Sequence, residues 1–268
     1  MPLNNVLRTV ILVTASICVL VPFSLLVMRT FSVSWNFPNL LPDFSFAQFS
    51  DYIEAGNIQK PLINSITLSA LVTLLSAFIG FMPAKYLGTR TFKGKTALYI
   101  FLLIPAVTPG ICIMFGLIEV LIKLGIYRTY LALLLCQITF TVPYFIFVMM
   151  PVFKRYDTDL DSQSSILGVG KLSTVLNVTV PAVKTGLASA MMLTFVISWS
   201  MYLITTVGAP KGFETMATVL LPQLSFGYAT DSFVAITAFI FLVPALISVL
   251  ISTGVAASDR SNSKGGRR

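Results

Sequence analysis

The chain has 268 residues, of which 56% are hydrophobic and 10% charged, and it carries a formal charge of +8. A soluble domain has about a quarter of its residues as Asp, Glu, Lys and Arg, so this chain cannot cover its apolar surface in water. That excludes an ordinary soluble enzyme, a disordered chain and a disulfide-stapled secreted module, and leaves a protein whose solvent is the lipid bilayer.

A helix needs about 20 apolar residues to cross the hydrocarbon core. Six runs meet this requirement, at 10–28, 62–84, 97–121, 130–153, 187–207 and 233–257. The first is preceded by Arg8. It is followed by Arg29 and Phe31 rather than a small-residue cleavage site, so it reads as a retained helix and not a signal peptide. Residues 30–60 hold Trp35, Phe37, Phe44, Phe46, Phe49 and Tyr52 with Pro38 and Pro42, the composition of an outer loop with an interfacial piece. Residues 1–61 thus form a first helix and loop, and 62–257 a five-helix core. Between the fifth and sixth spans, 217–224 is apolar but too short to cross, as in a re-entrant or interfacial helix. The tail 258–268, rich in Ser, Gly and Arg, reads as disordered. Pro22, Pro105, Pro109, Pro143 and Pro244 fall inside spans, where each removes a backbone donor and favours a kink.

Lys and Arg counts orient the chain. With the N-terminus cytoplasmic, Arg8, Lys85, Arg90, Lys93, Lys95, Lys154, Arg155, Lys171, Lys184, Arg260, Lys264, Arg267 and Arg268 lie inside. Arg29, Lys60, Lys123, Arg128 and Lys211 lie outside. The excess puts both termini in the cytoplasm, in agreement with an even number of spans. It also accounts for the basic charge without nucleic acid.

The sequence contains no histidine, which removes Ser-His and Cys-His nucleophile pairs and the HExxH helix. Cys18, Cys112 and Cys136 are far apart in apolar runs, so neither a zinc site nor a redox pair is supported. Two segments approach a phosphate loop. Gly88 and Gly94 before Lys95-Thr96 are one residue too far apart, and Gly170-Lys171 is followed by Leu172 instead of a hydroxyl residue. ATP, if used, is bound by another subunit, and no covalent chemistry or cofactor is expected of this chain.

The loop between the fourth and fifth spans, residues 154–183, is long and patterned. Leu160, Ile166 and Leu167, then Leu172, Val175, Leu176 and Val178, recur at helical intervals around a break at Gly168 and Gly170. This predicts two short amphipathic helices, the first opened by Asp157, Asp159 and Asp161 where the helix dipole favours anions. Counted back from Pro181, thirteen residues separate Ser162-Gln163-Ser164 from Val178-x-Val180-Pro181, with Gly168 among them.

That spacing resembles the signature of the permease subunits of bacterial ATP-binding-cassette (ABC) importers. In that signature an EAA triplet is followed by three residues, a glycine, nine residues and I-x-L-P. Glycine, proline and spacing match; the EAA letters do not. Asn64-Ser65 at the start of the second span, Pro105 to Pro109, and Pro143-Tyr144 also look like the family, and Phe37 to Pro42 is similar to its polyamine, thiamine, ferric iron and phosphonate group. The resemblance implies an all-α membrane protein with six transmembrane helices and the type I ABC importer permease fold. It implies docking to a cytoplasmic ABC ATPase dimer through Asp161, Ser162, Gln163, Ser164, Ser165, Leu167 and Gly168. It further implies a second permease subunit, the same or related, and an extracytoplasmic solute-binding protein, in the bacterial inner membrane.

Polar residues within spans are costly in lipid and mark a candidate translocation path. Gln137 and Thr141 on the fourth span and Ser198, Ser200 and Tyr202 on the fifth are the candidates. Met201 stands where the family often has an acid, so solute selection is expected to rest mainly on the binding protein. The rival reading, an ion-coupled secondary transporter, needs buried acids near mid-membrane, and the ten Asp and Glu residues do not supply them.

Overall fold

The computed structural model describes residues 2–32, 43–54, 58–226 and 231–265. Thirteen α-helices follow in order among them: α1 Pro2–Thr30, α2 Ala47–Glu54, α3 Gln59–Thr89, α4 Lys95–Val107, α5 Gly110–Lys123, α6 Tyr130–Lys154, α7 Asp159–Ile166, α8 Lys171–Thr174, α9 Val180–Ala182, α10 Lys184–Trp199, α11 Tyr202–Gly208, α12 Met216–Phe226 and α13 Asp231–Gly265. A π-helical turn, Val175–Thr179, joins α8 to α9.

Spans one, two, four and six are single long helices, α1, α3, α6 and α13. The third is broken. α4 and α5 meet at 99° across Thr108 and Pro109, where an uninterrupted 97–121 was expected. Pro109 cannot donate to the helical ladder, and the residue before a proline is driven out of the α region; Thr108 duly has ψ 136. The fifth span is also interrupted, with α10 ending at Trp199 and α11 resuming at Tyr202. Of the interfacial pieces, α2 and α12 are both helical. The tail departs from the expected disorder: the backbone of α13 stays helical to Gly265. No proline follows Pro244 in the sequence, so nothing stops a helix already nucleated in the span from propagating through Ala, Ser, Arg and Lys. The Phe37 to Pro42 resemblance lies outside the described residues.

The core is built on α3, α6 and α10. Phe81, Ala84, Leu87, Phe145, Ile146, Met149, Phe153, Val183 and Ala190 form its largest buried cluster. Glycines let the backbones approach. A Cβ on Gly88 would stand 2.4 Å from the Cβ of Phe153, and one on Gly186 would stand 2.5 Å from a methyl of Val152. Polar side chains join the same helices, as expected where lipid offers no hydrogen bonds. Ser76 of α3 bonds Thr141 of α6 at 2.7 Å, and both are buried. At the opposite end from residues 154–183, Asn64 donates to the carbonyl of Glu214 and Ser65 accepts from the amide of Met216. These bonds fix the segment before α12 to the start of α3, which gives Asn64-Ser65 a structural task. α13 lies beside α10, with Trp199 donating to the carbonyl of Phe241, and α1 rests on α13 through Thr30 and the carbonyl of Ala235. The outer faces of α1, α4 and α13 expose Leu12, Ile104 and Leu250 among many apolar side chains, the pattern of a lipid-facing surface.

Candidate functional site

Residues 154–183 form a bent elbow. Asp157 accepts from the amide of Asp159 at 2.9 Å and starts α7, whose first turn carries Asp159 and Asp161. α7 ends in a Schellman motif: Val169 donates to the carbonyl of Ser164 and Gly168 to that of Ser165. Gly168 has φ +75, the left-handed region where a side chain costs about 1–2 kcal/mol. The chain then reverses into α8. The π turn precedes Pro181, whose ring would clash with a carbonyl of a regular helix. It also turns Thr179 inward, fully buried.

Thr179, Tyr156 and Asp161 converge on Lys85, near the end of α3. Lys85 Nζ lies 2.8 Å from Asp161 Oδ2 and donates to Thr179 Oγ1 at 3.1 Å. The Tyr156 hydroxyl donates to Asp161 Oδ1 at 2.8 Å, and Thr179 Oγ1 donates to the same oxygen at 3.1 Å. The ammonium also stands 5.3 Å from the centre of the Tyr156 ring. Partial burial alone would raise the Asp161 carboxyl. The Lys85 ammonium and the hydroxyls of Tyr156 and Thr179 together outweigh it and hold the group below its ordinary value. Burial comes first among the causes that push the Tyr156 hydroxyl up, and the Asp161 charge adds to it.

This anchoring sorts the expected docking residues. Ser162, Gln163, Ser165, Leu167 and Gly168 face outward. Ser164 does not: it is buried and bonds the carbonyl of Leu160 at 2.9 Å. Asp161 is turned inward as well, because Lys85 supplies the countercharge in its own chain. The elbow's tip is apolar. Ile166 is 84% exposed, Leu167 80% and Leu172 72%. Beside it, among α3, α4, α6 and the elbow, opens a cavity of about 1670 Å³ lined by Tyr86, Arg90, Leu98, Ile146, Ile166 and Lys171.

The expected path residues divide in the same way. Gln137, Thr141 and Ser198 are buried and join helices. Ser198 of α10 donates to the Gln137 side-chain carbonyl, and Gln137 Nε2 donates to Thr205 of α11 at 3.2 Å. Gln137 therefore holds both sides of the α10–α11 break. Ser200, in the break, is exposed. Tyr202 borders a cavity of about 250 Å³ with Arg128, Thr206, Lys211 and Glu214. Sequence reasoning missed Lys85, Tyr156 and Thr179 as members of one site. The one signal available was a lysine placed directly after an apolar run.

The sequence profile of the family "Binding-protein-dependent transport system inner membrane component" matches residues 76–261. The trehalose transport system permease protein SugB of Mycobacterium tuberculosis is 27% identical over 252 residues, 92% of this chain and 90% of that protein. The spermidine/putrescine transport system permease protein PotC of Shigella flexneri is 21% identical over 246 residues, 92% of each chain. Among solved structures, a chain of a bacterial ABC transporter involved in the import of the acidic polysaccharide alginate superposes with a TM-score of 0.76. It shares 15% identity, over 94% of this chain and 96% of that one.

Proposed function

The chain belongs to the binding-protein-dependent transport system inner membrane components, the permease subunits of ABC importers, and on that premise we propose how its elbow and its fifth span divide the work. It is a multi-pass inner-membrane transport subunit and not an enzyme. The elbow, on the cytoplasmic side with both termini, docks into a cytoplasmic ATPase dimer. The α10–α11 break borders the path of a small solute handed over by an extracytoplasmic binding protein. A second permease chain, the same or related, completes the path within the lipid.

The observation that carries this reading is the contrast within the elbow. Its base is tied down by a partly buried ion pair, while Ile166, Leu167 and Leu172 stand exposed at its tip. An apolar tip on a polar, anchored base fits a groove in a soluble partner better than it fits water or headgroups. A lipid-immersed elbow would instead place Asp157 and Asp159, which are exposed, in an apolar medium.

The test is co-purification with a candidate ABC ATPase expressed together with the permease. Leu167→Asp with Leu172→Asp is expected to lower recovered ATPase at least ten-fold while the permease remains monodisperse in detergent. Undiminished recovery would reject the docking assignment.

A further inference from the structure

We infer that Lys85 is a positioning residue for transport: with Asp161, Tyr156 and Thr179 it latches the elbow to α3, so that displacement of the elbow is delivered to the α10–α11 break. The inference rests on the docking reading above.

The latch joins three separate stretches of chain at one cation. α3 contributes Lys85, the first turn of α7 contributes Asp161 with Tyr156 just before it, and the π turn contributes Thr179. Lys85 is 17% exposed and Asp161 28%, so water screens the pair less than it would a surface pair. α3 then connects to the break. Ser76, on α3 beyond Gly80 and Ala84, bonds Thr141 of α6. Thr141 donates to the carbonyl of Gln137, and the Gln137 side chain bonds Ser198 and Thr205 on either side of the break. Packing runs alongside these bonds: Tyr156, Val175 and Val180 of the elbow lie against the cluster of Phe81, Ala84, Phe145 and Phe153. Apolar packing alone lets surfaces slide. An ion pair with three directed hydrogen bonds does not, because sliding leaves a charge unpaired in a half-buried site. Asp161 lies in the first turn of α7 and the exposed Leu167 caps its C-terminal end, so one short helix carries a force applied at Leu167 to the latch at Asp161.

The experiment uses the full permease with its ATPase in nanodiscs, in a background with Cys18, Cys112 and Cys136 replaced by serine. Ser200→Cys reports on the break through its rate of maleimide labelling, with and without ATP and vanadate. With Lys85 intact, trapping is expected to change that rate at least five-fold. Lys85→Met, which keeps the length and removes the charge, is expected to bring the change below two-fold while ATPase co-purification stays within two-fold. Lys85→Arg is expected to restore it. A full response in Lys85→Met overturns the latch, and so does failure of Lys85→Arg to restore it. Should Lys85→Met not assemble, Asp161→Asn is measured in its place; failure of both to assemble makes the pair merely structural and also overturns the inference. Failure of the wild-type chain to bind the ATPase would instead strike the docking reading.

Discussion

Asp161 is the residue through which acid reaches the elbow. Its carboxyl lies below the ordinary value of 3.8 because Lys85, Tyr156 and Thr179 favour the charged form more than burial opposes it. A carboxyl depressed in the folded state adds stability that is fully present above its unfolded value. That stability is lost as pH falls through the folded value. Amide exchange over residues 157–180, corrected for its intrinsic pH dependence, should therefore stay slow down to about pH 4 and accelerate below it. In Lys85→Met the burial effect meets fewer opponents, so the step should move to higher pH. An unmoved step would show that Lys85 does not set the Asp161 charge. Gln137 is the counterpart within the bundle. Replacing it by Leu removes the acceptor of the buried Ser198 and the interhelical partner of Thr205, which keeps its bond to the Met201 carbonyl. Interhelical bonds in membranes are modest, so a loss of about 0.6–2 kcal/mol is expected in a denaturant titration in detergent. Ser200→Ala, at an exposed position, should change stability by less than about 0.5 kcal/mol.

At the scale of elements, the α3–α6 and α6–α10 contacts depend on missing side chains. A Cβ at Gly88 meets the Cβ of Phe153 and, at 2.9 Å, the carbonyl of Met150; backbone cannot yield as a flexible side-chain end does. Gly88→Ala should thus cost about 1–3 kcal/mol by overpacking, read as a lowered thermal midpoint in detergent. Gly116 of α5 has open space around it, so Gly116→Ala should be neutral or gain about 0.5–1 kcal/mol from helix propensity. Equal effects at the two sites would refute the packing account. The same contrast explains what the sequence could and could not convey. The spans were legible because about twenty apolar residues in a row have few other uses. The elbow was legible because Gly168, Gly170 and Pro181 punctuate a local pattern. The break at Thr108 and Pro109 was not, since proline is tolerated in membrane helices both as a mild kink and as a full stop. Nor was the Lys85–Asp161 pair. Its members are distant in sequence, and only the packing of α3 beside the elbow brings them together. Gln137, Thr141 and Ser198 were singled out as polar residues in lipid, a property that marks interhelical bonds as well as pathways, and all three make interhelical bonds.

For the whole molecule, the number of crossings turns on the α4–α5 pair. At 1.5 Å per residue these helices are each roughly 20 Å long, and a 99° bend leaves their far ends roughly 25–30 Å apart. That is about the thickness of the hydrocarbon core, so the pair reaches across only if both arms lie oblique to the membrane plane. A re-entrant pair would return Lys123 and Arg128 to the side of Lys93. The elbow with Lys154, Arg155, Lys171 and Lys184 would then lie on the face opposite Lys85 and Lys93, and the charge asymmetry that orients the chain would be lost. The crossing reading keeps Lys93 and Lys123 on opposite sides. Single cysteines at 93, 123, 167 and 211 decide it, in right-side-out vesicles treated with a membrane-impermeant maleimide. Lys123→Cys and Lys211→Cys should label at once, whereas Lys93→Cys and Leu167→Cys should label only after permeabilisation. Were Lys123→Cys to follow Lys93→Cys, five crossings would remain and the termini would lie on opposite faces. Were Leu167→Cys to label from outside, the elbow would face away from any cytoplasmic motor. A six-crossing topology with the elbow inside is the arrangement in which the apolar tip, the Lys85 latch and the α10–α11 break stand in the order a transmitted stroke requires.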